Sequence, residues 1–248
     1  MAKFDSSWDK VAEEYCEAVG ETGDINHQAY LNPIVLAILG DVNGKKILDL
    51  ACGQGYFSRI MARSGADVVG VEISPILVET AKKKEKECPL GIKYIQENSS
   101  KMEVLKSNSF DLVVSNMAFH DIAEIESTIK ECARVLHRVG RLVFSMSHPL
   151  ITSSERHRDE KGYYRKAYAY MTPVERTHPM FPKEKGIHLY HRPIGFYVEQ
   201  LAKNGFVILN MQEVIIPHSD SDPLTRDEEK RMHKNEFPYF MVIEARRE

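Results

Sequence analysis

The clearest pattern along the chain is an alternation between short apolar runs and longer segments whose apolar residues recur at helical spacing. Five apolar runs have the length of strands: residues 46–50, 68–71, 92–95, 110–114 and 140–146. Runs that are apolar on consecutive positions predict strands buried on both faces. The segments between them predict helices, so the pattern favours a parallel sheet that helices cover on both sides.

The two ends of the chain extend this pattern. Residues 5–19 and about 28–39 predict two helices before the first strand. The alternation stops after residue 149, and residues 151–192 show no clean periodicity. A helix is predicted at about 193–203, followed by a strand at 206–216, a charged stretch to about 236 and a last strand at 239–245. The sequence therefore predicts one doubly wound domain over 1–248, with a helical cap at 1–43, a lid-like insertion at about 150–192 and a charged insertion at about 217–236.

Composition limits the class of protein. The 248 residues are 43% hydrophobic and 28% charged with a formal net charge of −3, which excludes collagen-like, low-complexity and wholly disordered chains. No apolar run approaches the roughly 20 residues of a membrane helix, and the first residues carry no apolar signal region. The four cysteines are scattered without a C-x-x-C pair, which is typical of a reducing compartment. We therefore expect a cytoplasmic protein without a metal site and without a membrane segment.

A glycine-rich turn follows the first predicted strand, in the run Asp49-Leu-Ala-Cys-Gly-Gln-Gly55. Such a turn lets a nucleotide-like ligand approach the backbone. The third glycine of the dinucleotide fingerprint is missing, because Ser58 stands there. A carboxylate at Asp49 would repel a pyrophosphate but suits a cationic amino group, and Glu72 at the end of the second strand can bind both hydroxyls of a ribose. The implied ligand has a ribose and a cationic end but no phosphate.

These residues carry a family resemblance. The run Ile47-Leu-Asp-Leu-Ala-Cys-Gly-Gln-Gly55 resembles the first motif of class I S-adenosylmethionine-dependent methyltransferases, and Val71-Glu-Ile-Ser74 resembles their acidic second motif. Residues 94–99, 109–116 and 134–144 resemble the segments of the third, fourth and fifth strands. The resemblance is close over about residues 5–150 and loose beyond. It implies a Rossmann-like, mostly parallel seven-stranded sheet with an antiparallel last strand, and S-adenosyl-L-methionine as cofactor with S-adenosyl-L-homocysteine as product.

The resemblance also implies how the methionine and ribose parts of the cofactor are held. Gly53 and Gly55 would admit the methionine part, and Ala51 of the same turn would contact it. Asp49 would lie beneath this loop and interact with the amino group, directly or through water. Glu72 would hold the ribose hydroxyls. Each glycine could instead serve only the turn, and each acid could be a helix cap or a surface group.

The adenine end is implied by the third-strand segment. Ile73 would pack on the adenine, Asn98 would contact its amino group and Ser99 would offer backbone atoms. The family more often has Gly-Asp where Glu-Asn stands at 97–98, and the asparagine still provides a carbonyl acceptor. Trp8 and Tyr15 resemble the aromatic residues of an N-terminal helix that closes over the cofactor in small-molecule members; they could equally pack as the core of a docking helix.

The groups that act on the methyl acceptor follow the later strands. Asn116 would lie beside the methyl-donating sulfur. His120 and His148 follow the fourth and fifth strands, at the edge where open parallel sheets place their active sites, and His191 ends the insertion. Histidine titrates nearest neutrality, so these three are candidate general bases, although each could simply hydrogen-bond its own loop. Asp121 could orient His120 or cap the following helix.

The insertion at 151–192 is basic and aromatic. It holds nine Lys and Arg against five Asp and Glu, together with five tyrosines. Long loops of this kind are often lids or binding loops, so Tyr168, Tyr190 and Arg192 are candidates for binding the acceptor. The excess of positive charge suits a carboxylate, a phenolate or a phosphate. The alternatives are a solvated surface, a dimer contact or an RNA-binding surface.

The sequence thus favours a cytoplasmic methyltransferase that uses S-adenosyl-L-methionine to methylate O or N of a small anionic or aromatic molecule. The first alternative is a tRNA-modifying methyltransferase that binds RNA through the basic insertion, although the mild negative charge of the chain disfavours nucleic acid. The second is a non-catalytic protein that binds S-adenosylmethionine. A monomer and a homodimer are both compatible with the sequence.

Overall fold

The computed structural model describes residues 6–160, 162–178, 186–216 and 237–248. The charged insertion predicted at about 217–236 lies outside the described residues. The strands formed by the described residues are β1 (Lys46–Leu50), β2 (Asp67–Glu72), β3 (Lys93–Gln96), β4 (Phe110–Ser115), β5 (Leu136–Ser147), β6 (Ser154–Asp159), β7 (Gly162–Ala167), β8 (Val174–His178), β9 (Ile187–His191), β10 (Phe206–Val214) and β11 (Phe240–Arg247).

The helices flank these strands. They are α1 (Ala12–Val19), α2 (Asn32–Leu39), α3 (Tyr56–Arg63), α4 (Pro75–Glu87), α5 (Ile125–Val135), α6 (Pro149–Thr152) and α7 (Ile194–Lys203). A 3₁₀ turn, Ser7–Lys10, precedes α1, and a π-helical segment, His27–Leu31, leads into α2. Within the described part of the chain, no helix has the length and apolarity that crossing a membrane requires.

Seven strands form one sheet in the order β10-β11-β5-β4-β1-β2-β3. Neighbours from β5 to β3 are parallel, whereas β11 is antiparallel to both β5 and β10. This order confirms the expected mostly parallel, Rossmann-like sheet with an antiparallel last strand. The sheet continues from β1 to β2 and β3 on one side and to β4 and β5 on the other. The carboxyl ends of β1 and β4 therefore lie side by side at the point where a ligand crevice forms.

The sheet is buried on both faces, as its apolar runs predict. In β1, Leu48 and Leu50 belong to one hydrophobic cluster while Ile47 belongs to the other. Helices α5 and α7 cover the first face, with Ile129 and Leu201 fully buried there, and α2 and α3 cover the opposite face. Alternate residues of each strand point to opposite faces, so a run that is apolar throughout fills both clusters at once.

The segment between β5 and α7 contains regular structure that the sequence pattern does not reveal. Strands β6 and β7 pair as one antiparallel hairpin, and β8 and β9 as a second, each forming its own small sheet. In β8 the less exposed positions are Val174 and Arg176. Because an arginine takes an inward position, the two-residue period of apolar residues that marks a strand is hidden.

Candidate active site

The turn between β1 and α3 has an unusual backbone. Ala51, Gly53 and Gly55 all have positive φ, at 56°, 55° and 80°. A Cβ on Gly53 would lie 2.9 Å from the hydroxyl of Tyr15, and one on Gly55 would overlap the ring of Tyr94. Both glycines are therefore required for backbone conformation and for space. Gly53 faces the cavity described below, whereas Gly55 makes room for an internal packing contact.

Glu72 ends β2 directly beside this turn. Its Oε2 accepts the backbone N–H of Gly53 over 3.0 Å, and its Oε1 accepts the N–H of Ser74 over 2.9 Å. The side chain is buried, and this burial raises the pKa of the Glu72 carboxyl against the opposing effect of the two backbone hydrogen bonds. The carboxylate is thus fixed in place, with lone pairs left on each oxygen for further donors.

Asp49 lies beneath the turn rather than in it. Its Oδ2 accepts a hydrogen bond from the hydroxyl of Ser58 in α3. Burial, together with the nearby charge of Glu72, raises the pKa of Asp49 to about 7. Asp49 does not reach the cavity wall.

A cavity of about 1000 Å³ opens at the carboxyl ends of β1, β2 and β4 and continues toward the hairpins. This volume is at the upper end of the roughly 300–1,000 Å³ of ligand pockets. The predicted site residues that line it are Trp8, Tyr15, Ala51, Gly53, Glu72, Ile73, Asn98, Ser99, Asn116, His120 and Tyr190. The predicted site residues that do not line it are Asp49, Gly55, His148, His191, Tyr168 and Arg192.

The end of the cavity around Glu72 fits an adenosyl ligand. A buried carboxylate is held on two backbone N–H groups and faces the cavity, which is the donor-accepting arrangement that a pair of ribose hydroxyls requires. Ile73 beside it provides an apolar surface. At Asn98, Oδ1 already accepts the N–H of Ser100 over 2.9 Å, so a contact to adenine would use its second lone pair or the backbone.

Asn116 binds the N-terminal cap to the sheet. Its Nδ2 donates to Oδ1 of Asn32 over 3.0 Å and to the hydroxyl of Tyr56 over 2.9 Å. Its Oδ1 accepts the hydroxyl of Ser145 over 2.6 Å. The amide therefore connects α2, α3 and β5 at the cavity wall and holds the cap residues in register with the carboxyl end of β4.

The N-terminal segment covers the same end of the cavity. The rings of Trp8 and Tyr15 meet edge to face at 5.2 Å between centroids, and the hydroxyl of Tyr15 lies against Gly53. Asp9 accepts a hydrogen bond from the hydroxyl of Ser74, the N-cap residue of α4. The segment is thus fixed to the ends of both β1 and β2.

The three candidate histidines have different surroundings. Nδ1 of His148 accepts the N–H of Leu150 over 3.0 Å and its Nε2 lies 2.9 Å from Glu213. His191 has Nε2 at 2.8 Å from the carbonyl of Tyr170 and Nδ1 at 2.7 Å from the hydroxyl of Thr152. Burial lowers the pKa of both imidazoles. Both rings are thus occupied by structural hydrogen bonds, and of the three only His120 lines the cavity.

The residues predicted to bind the acceptor also differ in whether they line the cavity. Tyr190 lines the cavity, whereas Tyr168 is exposed with the ammonium of Lys166 over its ring. Arg192 donates to the carbonyls of Ile122 and Ala123 and stacks over Tyr190, its guanidinium 5.2 Å from the ring centroid. Arg192 therefore contacts residues of the cavity wall but does not line the cavity itself.

The charged wall residues that were not predicted as site residues include two arginines and an aspartate. Arg165 of β7 and Arg176 of β8 both line the cavity, and so does Asp121. Arg165 donates to the hydroxyl of Ser154 over 3.2 Å. The basic character of the insertion was the available signal for the two arginines. Asp121 was considered only as an orienting or capping residue, and α5 begins without a side-chain cap after Glu124.

Within the described residues, no three His, Cys, Asp or Glu side chains lie together in a way that could hold a metal ion. The cavity wall carries carboxylates, guanidinium groups, the ammonium of Lys10, the imidazoles of His27, His120 and His188, and backbone N–H groups. A Rossmann-like sheet of this strand order, with a glycine turn after β1 and a buried carboxylate after β2, defines a nucleoside-binding enzyme fold.

Comparison with known proteins identifies the family. Residues 48–144 match the family model described as a methyltransferase domain. The crystal structure of an S-adenosylmethionine dependent methyltransferase from Mesorhizobium loti superposes with a TM-score of 0.73 at 27% identity, over 87% of this chain and 96% of that chain. Residues 48–144 thus carry a methyltransferase domain, and the structural neighbours support a class I S-adenosylmethionine-dependent methyltransferase that uses S-adenosylmethionine as its cofactor.

Many proteins are similar to this chain in sequence, and two of them are described here. An uncharacterized protein of Haemophilus influenzae is 27% identical over 225 residues, which is 87% of this chain and 86% of that protein. A ubiquinone biosynthesis O-methyltransferase of Klebsiella pneumoniae is 28% identical over 149 residues, which is 58% of this chain. The match spans 59% of the length of that enzyme, so similarity to it does not extend to the whole protein.

Proposed function

We propose that the protein transfers a methyl group from S-adenosylmethionine to an oxygen or nitrogen atom of a small molecule that carries an anionic group. The observation that carries this proposal is that one continuous cavity contains both groups of residues. It joins Gly53 and Glu72 at one end to Arg165 and Arg176 of the two hairpins at the other. Two guanidinium groups that line the cavity favour a carboxylate or a phosphate.

The cofactor would occupy the end that the cap covers. Glu72 would accept the ribose hydroxyls, Ile73 would pack on the adenine, and the backbone at Ala51 and Gly53 would contact the methionine part. Asp49 lies one layer below, so its interaction with the amino group would need water or a shift of the loop. When bound, S-adenosylmethionine supplies an electrophilic methyl group on a sulfonium centre.

The rest of the chain aligns the acceptor. Tyr190 and the two arginines would orient it toward the carboxyl ends of β4 and β5, where Asn116 and His120 lie. Holding the two reactants in one geometry supplies a large part of the acceleration in a displacement of this kind. The hairpins and the N-terminal segment would keep water from the reacting atoms. We refer to the cavity region between His120 and Arg176 as the acceptor end.

A relative supports oxygen as the acceptor atom. The Klebsiella pneumoniae enzyme is named as an O-methyltransferase, and its match spans 58% of this chain. A reducing, cytoplasmic location is proposed with it, because Cys16, Cys52, Cys88 and Cys132 are all free thiols.

The test is transfer of a labelled methyl group from S-adenosylmethionine to paired small molecules. Each pair would consist of a carboxylate and its amide, such as 3,4-dihydroxybenzoate and 3,4-dihydroxybenzamide, with bulk tRNA as a third substrate. We expect transfer to members of the carboxylate set, and Arg176→Gln should reduce their advantage over the amides. Transfer to tRNA alone, or equal transfer to both members of every pair, would contradict the proposal.

A further inference from the structure

Asp121 is a buried acid at the acceptor end, and one oxygen of its carboxylate has no hydrogen bond within the described part of the chain. It follows β4 in a turn in which its N–H donates to the carbonyl of Ala118 over 2.9 Å. Its side chain is 7% exposed and lines the cavity. Among the residues that the structure describes, Oδ1 of Asp121 has no hydrogen-bond partner. A buried carboxylate oxygen without a partner is costly, so this group calls for a ligand.

Among the described residues, Oδ1 of Asp121 makes one long contact to an imidazole and no hydrogen bond. Nε2 of His120 approaches Oδ1 to 3.5 Å, beyond ordinary hydrogen-bond distance. Arg192, Tyr190 and Tyr197 are the other titratable or charged side chains nearby. The guanidinium of Arg192 donates to the carbonyls that follow Asp121 in the chain. Burial, and then the negative charge of Glu72, raise the pKa of Asp121 well above its ordinary range.

We propose that Asp121 is the proton acceptor of the methyl transfer and that it is ionised only while a cation occupies the cavity. This inference rests on the proposed function. As the bond between the acceptor atom and the methyl carbon forms, the bond between that acceptor atom and its hydrogen breaks. The proton passes to the Asp121 carboxylate, and the electron pair of the broken sulfur–carbon bond remains on sulfur.

The charges of this step match the burial of Asp121. Before transfer, the carboxylate and the sulfonium are opposite charges in one poorly solvated cavity, and each reduces the cost of burying the other. After transfer, Asp121 carries a proton and the sulfur is a neutral thioether. The protein is thus left with the neutral carboxyl that its own burial favours. A carboxylate exposed to water has no such burial cost for the cation to reduce.

His120 serves as a positioning residue in this arrangement. Its Nδ1 accepts the backbone N–H of Ser147 over 3.3 Å, so the ring proton is on Nε2. That nitrogen lies between the hydroxyl of Ser147, at 3.3 Å, and Oδ1 of Asp121. An imidazole with Nδ1 used as an acceptor carries its proton on Nε2, from which it can direct the neighbouring carboxylate.

The test counts protons and needs no acceptor. Binding of S-adenosylmethionine and of S-adenosylhomocysteine to the full chain is measured by calorimetry at about pH 7 in buffers of different ionisation enthalpy. The two ligands differ only in the sulfonium methyl and its charge, so groups that do not respond to this charge cancel, and the variants below separate Asp121 from those that do. We expect S-adenosylmethionine to release more protons than S-adenosylhomocysteine, by an amount approaching about one per site.

Two variants assign the difference. Asp121→Asn should abolish it, while Glu155→Gln, an exposed acid that lines the same cavity, should retain it. Equal proton release by the two ligands in the unmodified protein would overturn the role of Asp121, and so would an unchanged difference in Asp121→Asn. Failure of both ligands to bind would instead overturn the proposed function.

Discussion

The backbone N–H of Gly53 donates to the carboxylate of Glu72 over 3.0 Å. This contact joins the turn after β1 to the end of β2 without any ligand present. The same carboxylate accepts the N–H of Ser74, which caps α4. The acid that would hold a ribose is therefore fixed by the backbone that would surround the ligand, and such preorganisation lowers the entropic cost of binding.

Removal of this carboxylate should weaken cofactor binding. Glu72→Ala is expected to reduce the affinity for S-adenosylhomocysteine by roughly 1.5–3 kcal/mol, as the loss of charge-assisted hydrogen bonds does. Calorimetric titration measures this change. Asp67→Asn, at the exposed opposite end of β2, is the matched control and should bind as the unmodified protein does. Unchanged affinity in Glu72→Ala would remove Glu72 from the ribose site.

Asp49 should make the stability of the ligand-free protein depend on pH. Its pKa is about 7 in the folded chain against an ordinary value of 3.8, so the folded state binds the proton more tightly. Stability is then lost as the pH rises from about 4 to about 7. Asp49→Asn removes this loss, and its free energy of unfolding relative to the unmodified protein should rise by roughly 2–4 kcal/mol over that interval.

Chemical denaturation at several pH values measures the effect of Asp49→Asn. The change of the unfolding free energy with pH is the informative quantity, because any pH-independent effect of the substitution cancels. Asp41→Asn, at an exposed position, should show no such slope. A parallel pH dependence in Asp49→Asn and the unmodified protein would show that Asp49 does not titrate in this range.

Arg59 connects the glycine turn to the N-terminal cap and should be important for stability. It is 1% exposed, donates to the carbonyl and the side chain of Gln54 over 2.8 Å each, and pairs with Glu21 at 3.0 Å. Arg59→Met would leave buried acceptors of Gln54 unpaired. We expect a loss of roughly 2–4 kcal/mol in unfolding free energy.

Thermal or denaturant unfolding of Arg59→Met provides the measurement. Lys82→Ala breaks an exposed pair with Glu79 and is the control, with an expected change within about 0.5 kcal/mol. Arg59→Met should also weaken binding of S-adenosylhomocysteine, since the turn loses its support. A stability change no larger than that of the control would show that the pairing of Arg59 is not needed.

His148 and His191 should matter for folding rather than for turnover. His148→Ala and His191→Ala are expected to lower unfolding free energy by roughly 1–3 kcal/mol. Turnover with an accepted carboxylate should fall far less than the roughly 10²–10⁴-fold expected for loss of a general base. Because burial lowers the pKa of both rings, their contribution to stability is lost as the pH falls below about 6.5. A base-like loss of turnover in either variant, with cofactor binding unchanged, would contradict this assignment.

Much of the sheet could be predicted because its signals are local. The run from Lys46 to Leu50 has apolar residues at positions 47, 48 and 50 and is followed at once by the glycine turn, so the strand, the turn and the ligand side are neighbours in the sequence. Glu72 follows in the same way from the end of β2. Where a strand end and a functional residue are neighbours in the chain, topology alone brings them to the common edge.

The acceptor end could not be predicted in this way because it depends on contacts between distant segments. The strands β8 and β9 pair across residues that interrupt the apolar pattern, and Arg176 occupies an inward position. The direction of a side chain after a strand is likewise not local. His148 turns toward Glu213, sixty-five positions away, whereas His120 faces the cavity.

The most direct test of the central claim is a calorimetric titration of the unmodified protein with S-adenosylhomocysteine and, separately, with NAD. Glu72 offers a carboxylate for ribose hydroxyls, and Asp49 beneath the turn disfavours a pyrophosphate. The account predicts saturable binding of S-adenosylhomocysteine and no heat of binding with NAD. Saturable binding of NAD without any response to S-adenosylhomocysteine would contradict it.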